Sequence, residues 1–183
     1  MKFTRLEIPD LVLIEPKVFG DDRGFFYESF NRQVFAQGVG ADPDFVQDNH
    51  SRSSRGVLRG LHYQIQQAQG KLVRVVQGRV FDVAVDLRRA SPTFGQWVGQ
   101  ELSDENGFQL FIPEGFAHGF QILSEEALVA YKVSDFYNRE AEGAIRWNDD
   151  QIGIHWPLAD PILGPRDVTA PLLRDYLPEK LSF

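Results

Sequence analysis

The segment KLVRVVQGRVFDVAVDLR, residues 71–88, constrains the fold more than any other part of the chain. It predicts a β-hairpin that turns near Gln77 and Gly78. Apolar residues of the second strand recur at every other position and share one face, namely Phe81, Val83, Val85 and Leu87. The opposite face carries charged residues, namely Asp82, Asp86 and Arg88. Strict alternation of this kind predicts β-structure here and not a helix.

Similar short strands are predicted along the rest of the chain, in LVLIEP, FVQDNHSRSS, QWVGQELS, FQLFIP, HGFQILS and ALVAYKVSDFY. Each run is bounded by glycine, proline or polar residues, which is typical of a sandwich or barrel. Two short helices are predicted. NRQVFAQG would begin at the N-cap Asn31 and end at Gly38, and APLLRDYL would have Pro171 in its first turn. We therefore expect a single all-β domain over residues 1–183, with short helical attachments.

Composition excludes several classes of function. The chain has 19 lysine and arginine residues against 26 acidic residues, so a net charge of −7 argues against general binding to nucleic acid or anionic membranes. It contains no cysteine, which removes disulfides, thiolate zinc sites and cysteine nucleophiles. The N-terminal MKFTRLEIPD does not resemble a signal peptide, and no apolar run approaches membrane-spanning length. We expect a soluble, cytoplasmic protein.

Two histidines lie in motifs that resemble those of the cupins, which are jelly-roll proteins of the double-stranded β-helix type. The matching residues are Gly56, His62 and Gly78 in the first motif, and Gly107, Pro113, Gly115 and His118 in the second. A metal-binding cupin has a second histidine and a glutamate where this chain has Gln64 and Lys71. Because an ammonium group has no lone pair and repels a cation, we predict no metal and disfavour a cupin oxygenase.

The residues that replace the metal site suit the removal of a proton next to a carbonyl group. The imidazole of His62 would take the carbon-bound proton, and Lys71 would stabilise the negative charge on the enolate oxygen. The ordinary pKa of histidine lies close to neutral pH, which suits a base. A lone histidine is more often a packed core residue, but the spacing from Gly56 and the replaced ligands favour a functional role.

Longer segments resemble the dTDP-4-dehydrorhamnose 3,5-epimerase family, almost from end to end. They are DDRGFFYESFN, FVQDNHSRSSRGVLRGLHYQ, GKLVRVVQGRVFDVAVDLRRASPTFGQW, IPEGFAHGFQ, YKVSDFYN and EGAIRWND. The resemblance implies a cupin-type jelly roll that forms homodimers. It also implies inversion at C3 and C5 of dTDP-4-dehydro-6-deoxy-D-glucose, to give dTDP-4-dehydro-L-rhamnose, with no metal or redox cofactor.

The resemblance also implies roles for individual residues. His62 would be the base, Asp167 in GPRDVTAP would orient its imidazole, Lys71 would face the ketone oxygen, and Tyr131 would return a proton from the other side. Tyr137 is the competing tyrosine and is expected to be peripheral. Substrate-binding positions would be Arg23, Phe26, Glu28, Gln47, Asn49, Arg59, His118, Glu142 and Arg166. Among them, Arg23 and Arg59 are the phosphate candidates and Phe26 the surface for stacking thymine.

Two features leave alternatives open. In a regular strand Arg59 and His62 would face opposite sides, so either Gly60 bulges the strand or Arg59 serves a site across a subunit boundary. An exposed N-terminal segment that adds strands to a partner would fit the second option. GPRD departs from the family pattern because Arg166 replaces a lysine. The chain could also be an epimerase of C3 or C5 alone, or a non-catalytic cupin that binds a sugar nucleotide.

Overall fold

The computed structural model describes residues 1–175 as two facing, mainly antiparallel sheets. The first sheet has the spatial order β1 (Lys2–Arg5), β2 (Val12–Glu15), β10 (Gln109–Ile112), β7 (Lys71–Gln77), β12 (Glu126–Val133) and β5 (Gln47–Ser54). The second has the order β13 (Glu142–Ala144), β6 (Val57–Gln64), β11 (Phe116–Ile122), β8 (Arg79–Asp86) and β9 (Trp97–Ser103). A short strand, β14 (Ile162–Leu163), lies parallel to β6. The predicted all-β jelly roll is confirmed.

The hairpin predicted for residues 71–88 is wrong, although both of its strands exist. The chain turns at Gly78, but β7 lies in the first sheet and β8 in the second, so the two strands do not pair with each other. Val73 and Val75 of β7 and Val80 of β8 pack in the same buried cluster between the sheets. The two arms therefore face each other across the core, an arrangement that the alternation pattern alone cannot distinguish from a hairpin.

The apolar face of β8 points away from the first sheet. Val83, Val85 and Leu87 are fully buried in a second cluster, in which they pack with residues of the C-terminal segment such as Ile152 and Leu173. The alternate positions face the space between the sheets. Asp82, one of the charged residues on that side, is consequently buried inside the molecule, where it can act on other buried groups.

Helix α1 (Arg32–Val39) begins as predicted, because the side chain of Asn31 accepts a hydrogen bond from the Val34 N–H. It ends at Gly40 and not at Gly38. Gly40 adopts the left-handed conformation, with φ of 78°, and its N–H donates to Ala36. Gly38 is needed for packing, since a Cβ there would lie 2.3 Å from the ring of Phe3.

The C-terminal helix predicted over APLLRDYL is wrong in its described part. Residues 173–175 form a single 3₁₀ turn (Leu173–Asp175), and the last two residues of the prediction lie outside the described residues. The Leu173 N–H donates to Asp149 Oδ2 at 2.8 Å, which ties the segment to a neighbouring loop. A short helix that was not predicted, α2 (Pro165–Thr169), precedes it. No helix within residues 1–175 is long and apolar enough to cross a membrane.

Candidate active site

A cavity of about 240 Å³ lies between the two sheets, and side chains from both sheets and from α2 line it. Most of the residues singled out from the sequence meet here, namely Gln47, Asn49, Arg59, His62, Lys71, His118, Tyr131, Glu142 and Asp167. Residues that were given no role also contribute to the wall, namely Ser51, Tyr63, Gln64, Gln69, Phe120 and Tyr137. The fold thus brings together groups that are up to 120 residues apart in the chain.

A β-bulge at Gly60 explains how Arg59 and His62 reach the same cavity. His118 of β11 is opposite His62, and Phe120 is opposite Arg59. Two residues of β6, Gly60 and Leu61, are therefore opposite the single residue Gly119 of β11. Gly60 has φ of 133°, and a Cβ on it would lie 2.5 Å from the Cα of Gly119. The inserted residue reverses the side-chain alternation. Of the two explanations left open by the sequence, the bulge is the one that the structure contains.

His62 is paired with Asp167. The Nε2 atom of the imidazole lies 2.6 Å from Oδ1 of the carboxylate, which is buried in the first turn of α2, while His62 is partly exposed to the cavity. No hydrogen bond within residues 1–175 involves Nδ1 of His62. The carboxylate can therefore orient the ring and stabilise its protonated form, while the second nitrogen can accept a proton from a ligand.

Lys71 and His118 form a second polar group on the cavity wall, and the carboxylate of Asp82 acts on both. The Nζ atom of Lys71 lies 3.4 Å from the backbone oxygen of His62. Burial lowers the pKa of Lys71 to about 8, although the carboxylates of Asp82 and Glu142 favour its charged form. His118 Nε2 lies 2.9 Å from Oδ2 of Asp82, which is completely buried. At neutral pH this wall still carries the ammonium charge that an enolate oxygen needs.

Tyr131 lies on the opposite wall from His62. It belongs to β12 of the first sheet, between Val73 of β7 and Asn49 of β5, whereas His62 belongs to β6 of the second sheet. Burial raises the pKa of the Tyr131 phenol, and the nearby Glu142 raises it further, against an opposing effect of Arg59. The phenol therefore keeps its proton at neutral pH. The cavity places a proton acceptor and a proton donor on two different sheets.

Glu142 links two residues at the mouth of the cavity. Its Oε2 accepts a hydrogen bond of 2.8 Å from the hydroxyl of Tyr137 and forms an ion pair with Arg166. Burial opposes ionisation of Glu142, but the bonds from Arg166 and Tyr137 outweigh it and hold its pKa below the usual value. Arg166 therefore contacts the cavity through Glu142. Tyr137, expected to be peripheral, is part of the cavity wall.

Polar side chains of β5 form a further part of the wall. Gln47 donates to Asn49 Oδ1 at 2.9 Å, and the exposed Arg59 donates from Nε to Ser53 at 3.0 Å. Between them, the hydroxyl of Ser51 is buried, and it has no hydrogen-bond partner among the described residues. This side of the cavity offers amide groups and a guanidinium group, which are suited to the polar edges of a nucleotide and to its phosphates.

Three predicted binding residues do not reach the cavity of their own chain. Arg23 and Phe26 lie in a separate hairpin formed by β3 (Phe19–Asp21) and β4 (Gly24–Phe26), and Glu28 follows it. Within residues 1–175 this hairpin pairs with neither sheet, and Phe26 is 70% exposed. Arg23 forms an ion pair with Asp21 of the same hairpin.

The metal-binding positions of the cupin motifs are used differently in this chain. Within residues 1–175 no three or more histidine or acidic side chains are grouped so that they could hold a metal ion. His118 is bonded to Asp82, and the side chain of Gln64 is bonded to backbone groups of two loops. The two histidines without an assigned role are not in the cavity wall, and His155 packs against Trp97.

Residues 5–175 match the family model described as dTDP-4-dehydrorhamnose 3,5-epimerase. The chain belongs to this family. The resemblance inferred from the sequence segments is thereby confirmed. Among its curated relatives, the dTDP-4-dehydrorhamnose 3,5-epimerase of Pseudomonas aeruginosa is 64% identical over 168 residues, which cover 91% of this chain and 93% of the relative. That of Methanothermobacter thermautotrophicus is 51% identical over 169 residues, which cover 91% of each chain.

Solved structures of family members share the fold. A 3,5-epimerase from Legionella pneumophila, in complex with dTDP-4-keto-L-rhamnose, is 54% identical with a TM-score of 0.96, and the match covers 98% of this chain and 96% of that one. A 3′-monoepimerase from Streptomyces bikiniensis, in complex with dTDP-quinovose, is 35% identical with a TM-score of 0.88, and the match covers 95% and 88% of the two chains. The family fold thus serves epimerases of different regiochemistry.

Proposed function

We propose that this family member is an isomerase that inverts C3 and C5 of dTDP-4-dehydro-6-deoxy-D-glucose, giving dTDP-4-dehydro-L-rhamnose for dTDP-L-rhamnose biosynthesis. The observation that carries the proposal is the placement of His62, bound to Asp167, and of Tyr131 on opposite walls of one cavity, with Lys71 beside them. A sugar ring held between these walls has a base on one face and an acid on the other. Inversion of a carbon centre requires that arrangement.

The chemistry follows from the C4 ketone, which acidifies the protons on both neighbouring carbons. His62 takes the proton from C3 or C5, and the electron pair of the broken C–H bond forms the C=C bond of an enolate while the carbonyl electrons move to oxygen. Lys71 stabilises that oxygen, and Asp167 stabilises the imidazolium. When the enolate collapses to the ketone, Tyr131 donates its proton to the carbon from the opposite face. His62 then releases its proton to solvent and Tyr131 takes one up from solvent, which restores both residues.

The nucleotide of the substrate extends from the sugar toward the cavity mouth. Arg59 would bind the diphosphate with its guanidinium group, and the amides of Gln47 and Asn49 would reach the polar edge of thymine. His118, Glu142 and Arg166 would contact the sugar or the phosphates. These roles rest on the presence of each residue at the cavity or beside it.

A homodimer would complete the nucleotide site. The β3–β4 hairpin exposes Phe25 and Phe26, and β5 is the last strand of its sheet within residues 1–175, so one of its edges is unpaired. An exposed apolar hairpin and an open strand edge both favour pairing with a second copy of the chain. Docked beside β5 of another copy, the hairpin would bring Arg23, Phe26 and Glu28 toward a cavity whose wall includes β5. A cytoplasmic location stays a prediction.

The alternative is inversion of a single centre. The structural similarity to a 3′-monoepimerase favours it as the second candidate, because the same base serves both reactions. The presence of Tyr131 favours inversion at C5 as well. A non-catalytic sugar-nucleotide-binding protein would not need the His62–Asp167 pair.

Proton NMR in deuterium oxide distinguishes these functions. The protein is incubated with dTDP-4-dehydro-6-deoxy-D-glucose, without added metal or nicotinamide, and the product is trapped by a downstream reductase. Deuterium at both C3 and C5 of an L-configured product supports the 3,5-epimerase. Incorporation or inversion at one carbon supports a single-centre epimerase, and exchange at neither carbon contradicts both.

A further inference from the structure

Gln64 stands where a metal-binding cupin has its second histidine, but its side chain serves a different purpose. It is 5% exposed, and its amide group makes three hydrogen bonds with the backbone. The nitrogen donates to the carbonyl oxygens of Gln67 at 2.7 Å and of Phe136 at 3.2 Å, and the oxygen accepts from the N–H of Asn138 at 2.8 Å. Gln64 thus binds the residues on both sides of Tyr137.

Tyr137 is fixed by further contacts, although its side chain is largely exposed. Its backbone N–H donates to Gln47 Oε1 at 3.2 Å, and its hydroxyl donates to Glu142 at 2.8 Å. Preceding it, the carbonyl oxygen of Asp135 accepts a hydrogen bond of 2.9 Å from Gln69. A tyrosine that is 54% exposed would ordinarily sample several positions. Here its backbone and its phenol are both held.

We propose that Gln64 is a positioning residue whose side-chain amide fixes the segment 136–138 and so holds Tyr137 ready at the mouth of the cavity. The inference rests on the proposed function, in which the sugar lies near His62 and the nucleotide passes the mouth. A flat aromatic ring held in place loses little conformational entropy when a ligand packs on it. The hydrogen bonds of the Gln64 amide, here called the clamp, therefore stabilise the complex with the ligand. The clamp acts on binding more than on proton transfer, because the Gln64 amide makes its hydrogen bonds to residues 67, 136 and 138 and none to His62 or Lys71.

The first test replaces Gln64 with methionine, which has a similar shape but cannot make the three hydrogen bonds. The KM for dTDP-4-dehydro-6-deoxy-D-glucose should rise about tenfold while kcat changes by about twofold or less, because uniform binding has been lost. The Kd for dTDP, measured by calorimetry, should weaken by a similar factor. Backbone amides of residues 136–138 should also exchange with deuterium faster.

Gln121 provides a matched control. It is completely buried, and its amide likewise holds a loop, donating to the carbonyl oxygen of Leu158 at 2.9 Å and accepting from the N–H of Leu158 at 3.0 Å. It does not line the cavity. The Gln121→Met protein should therefore lose thermal stability and keep its KM and its Kd for dTDP. If the two variants changed KM equally, general destabilisation would account for the effect and Gln64 would have no special role.

A double-mutant cycle tests whether Gln64 acts through Tyr137. Tyr137→Ala should raise KM, and adding Gln64→Met to it should change KM little further. Independent, multiplying effects would overturn the proposal. If Gln64→Met fails to fold, Gln64→Glu replaces it. Its protonated carboxyl can donate to a loop carbonyl and its ionised form cannot, so KM should rise with pH, and a KM equal to the wild-type value at all pH values would overturn the proposal.

Failure of the proposed function would be recognised separately. If the wild-type protein exchanged no protons of the dTDP-sugar, the assignment of the reaction would be wrong. The dTDP affinities of the Gln64, Gln121 and Tyr137 variants would still decide whether the clamp exists.

Discussion

His62 and His118 stand directly opposite each other on neighbouring strands, yet each imidazole is bound to a different carboxylate. His62 is partly exposed and bound to Asp167, whereas His118 and its partner Asp82 are both buried. His62 can therefore exchange protons with a ligand. His118 is held by a carboxylate that also acts on Lys71.

Replacing the base should abolish turnover and leave the fold intact. His62→Ala removes the group proposed to accept the C3 and C5 protons, so we expect kcat to fall by about 10³-fold. Deuterium exchange into the substrate and circular dichroism give the two measurements. His155→Ala is a suitable control because His155 lies outside the cavity wall and packs against Trp97. A near-normal exchange rate in the His62 variant would show that another group is the base.

Removing the phenolic proton of Tyr131 should separate the two centres. In Tyr131→Phe, His62 and Lys71 are unchanged, so proton loss at C3 should continue while inversion at C5 drops. The measurement is the position and configuration of deuterium in the trapped product. An unchanged product composition would remove Tyr131 from the mechanism.

Activity should fall as the pH rises through about 8, the pKa to which burial lowers the Lys71 ammonium. Deprotonation leaves the enolate oxygen without its cation, so kcat decreases on the alkaline side. Tyr131 does not produce this decrease, because burial raises the pKa of its phenol above the ordinary value. In Lys71→Arg the guanidinium stays charged, and the alkaline decrease should disappear even if kcat is lower overall. A profile that stays flat through pH 9 in the wild-type protein would contradict this role.

Asp82 should control the position of that alkaline decrease. Its carboxylate favours the charged form of Lys71, so Asp82→Asn should lower the pKa of Lys71 further and move the decrease to lower pH. The pH profile of kcat is the measurement, and the exposed Asp150→Asn serves as the control. A shift toward higher pH would mean that Asp82 does not support the ammonium charge.

The bulge at Gly60 should tolerate no side chain. Gly60→Ala combines a positive φ with a Cβ 2.5 Å from the backbone of Gly119. The free energy of unfolding should therefore fall by at least about 2 kcal/mol. Gly24→Ala separates the two causes, because Gly24 has a similar φ of 125° and no atom within 4 Å of its Cβ position. Chemical denaturation measures both. Equal losses would show that backbone conformation, and not the contact with Gly119, dominates.

Much of the fold could be predicted because strand periodicity is local. The alternation in β8 and the N-cap at Asn31 each depend on a few neighbouring residues. Whether β7 and β8 pair or face each other depends on packing across the core, which periodicity does not encode. Helix α2 was missed because its five residues are too few for a periodic signal, although Pro165 at its start is a typical one.

The candidate site could be predicted only where a motif carried it. His62 and Lys71 were identified from the cupin motifs and Tyr131 from the family resemblance, and all three line the cavity. Asp82 and the contacts of Tyr137 were missed, because burial and hydrogen bonding between distant residues decide their roles. Gln64, for example, contacts Phe136, which is 72 positions away in the chain. Arg23 was placed in the site by resemblance alone, and a second copy would be needed to bring it there.

Because the proposed base and acid belong to different sheets, the thickness of the apolar core between those sheets affects the stereochemical outcome of the proposed reaction. Val73 and Val75 of β7 and Val80 of β8 belong to the buried cluster that fills this space, and Tyr131 packs against that cluster. Enlarging or trimming these valines would alter how far a flattened enolate sits from the phenol relative to the imidazole. Substitutions in this interior cluster would therefore change the proportion of inverted to retained product in the proposed reaction.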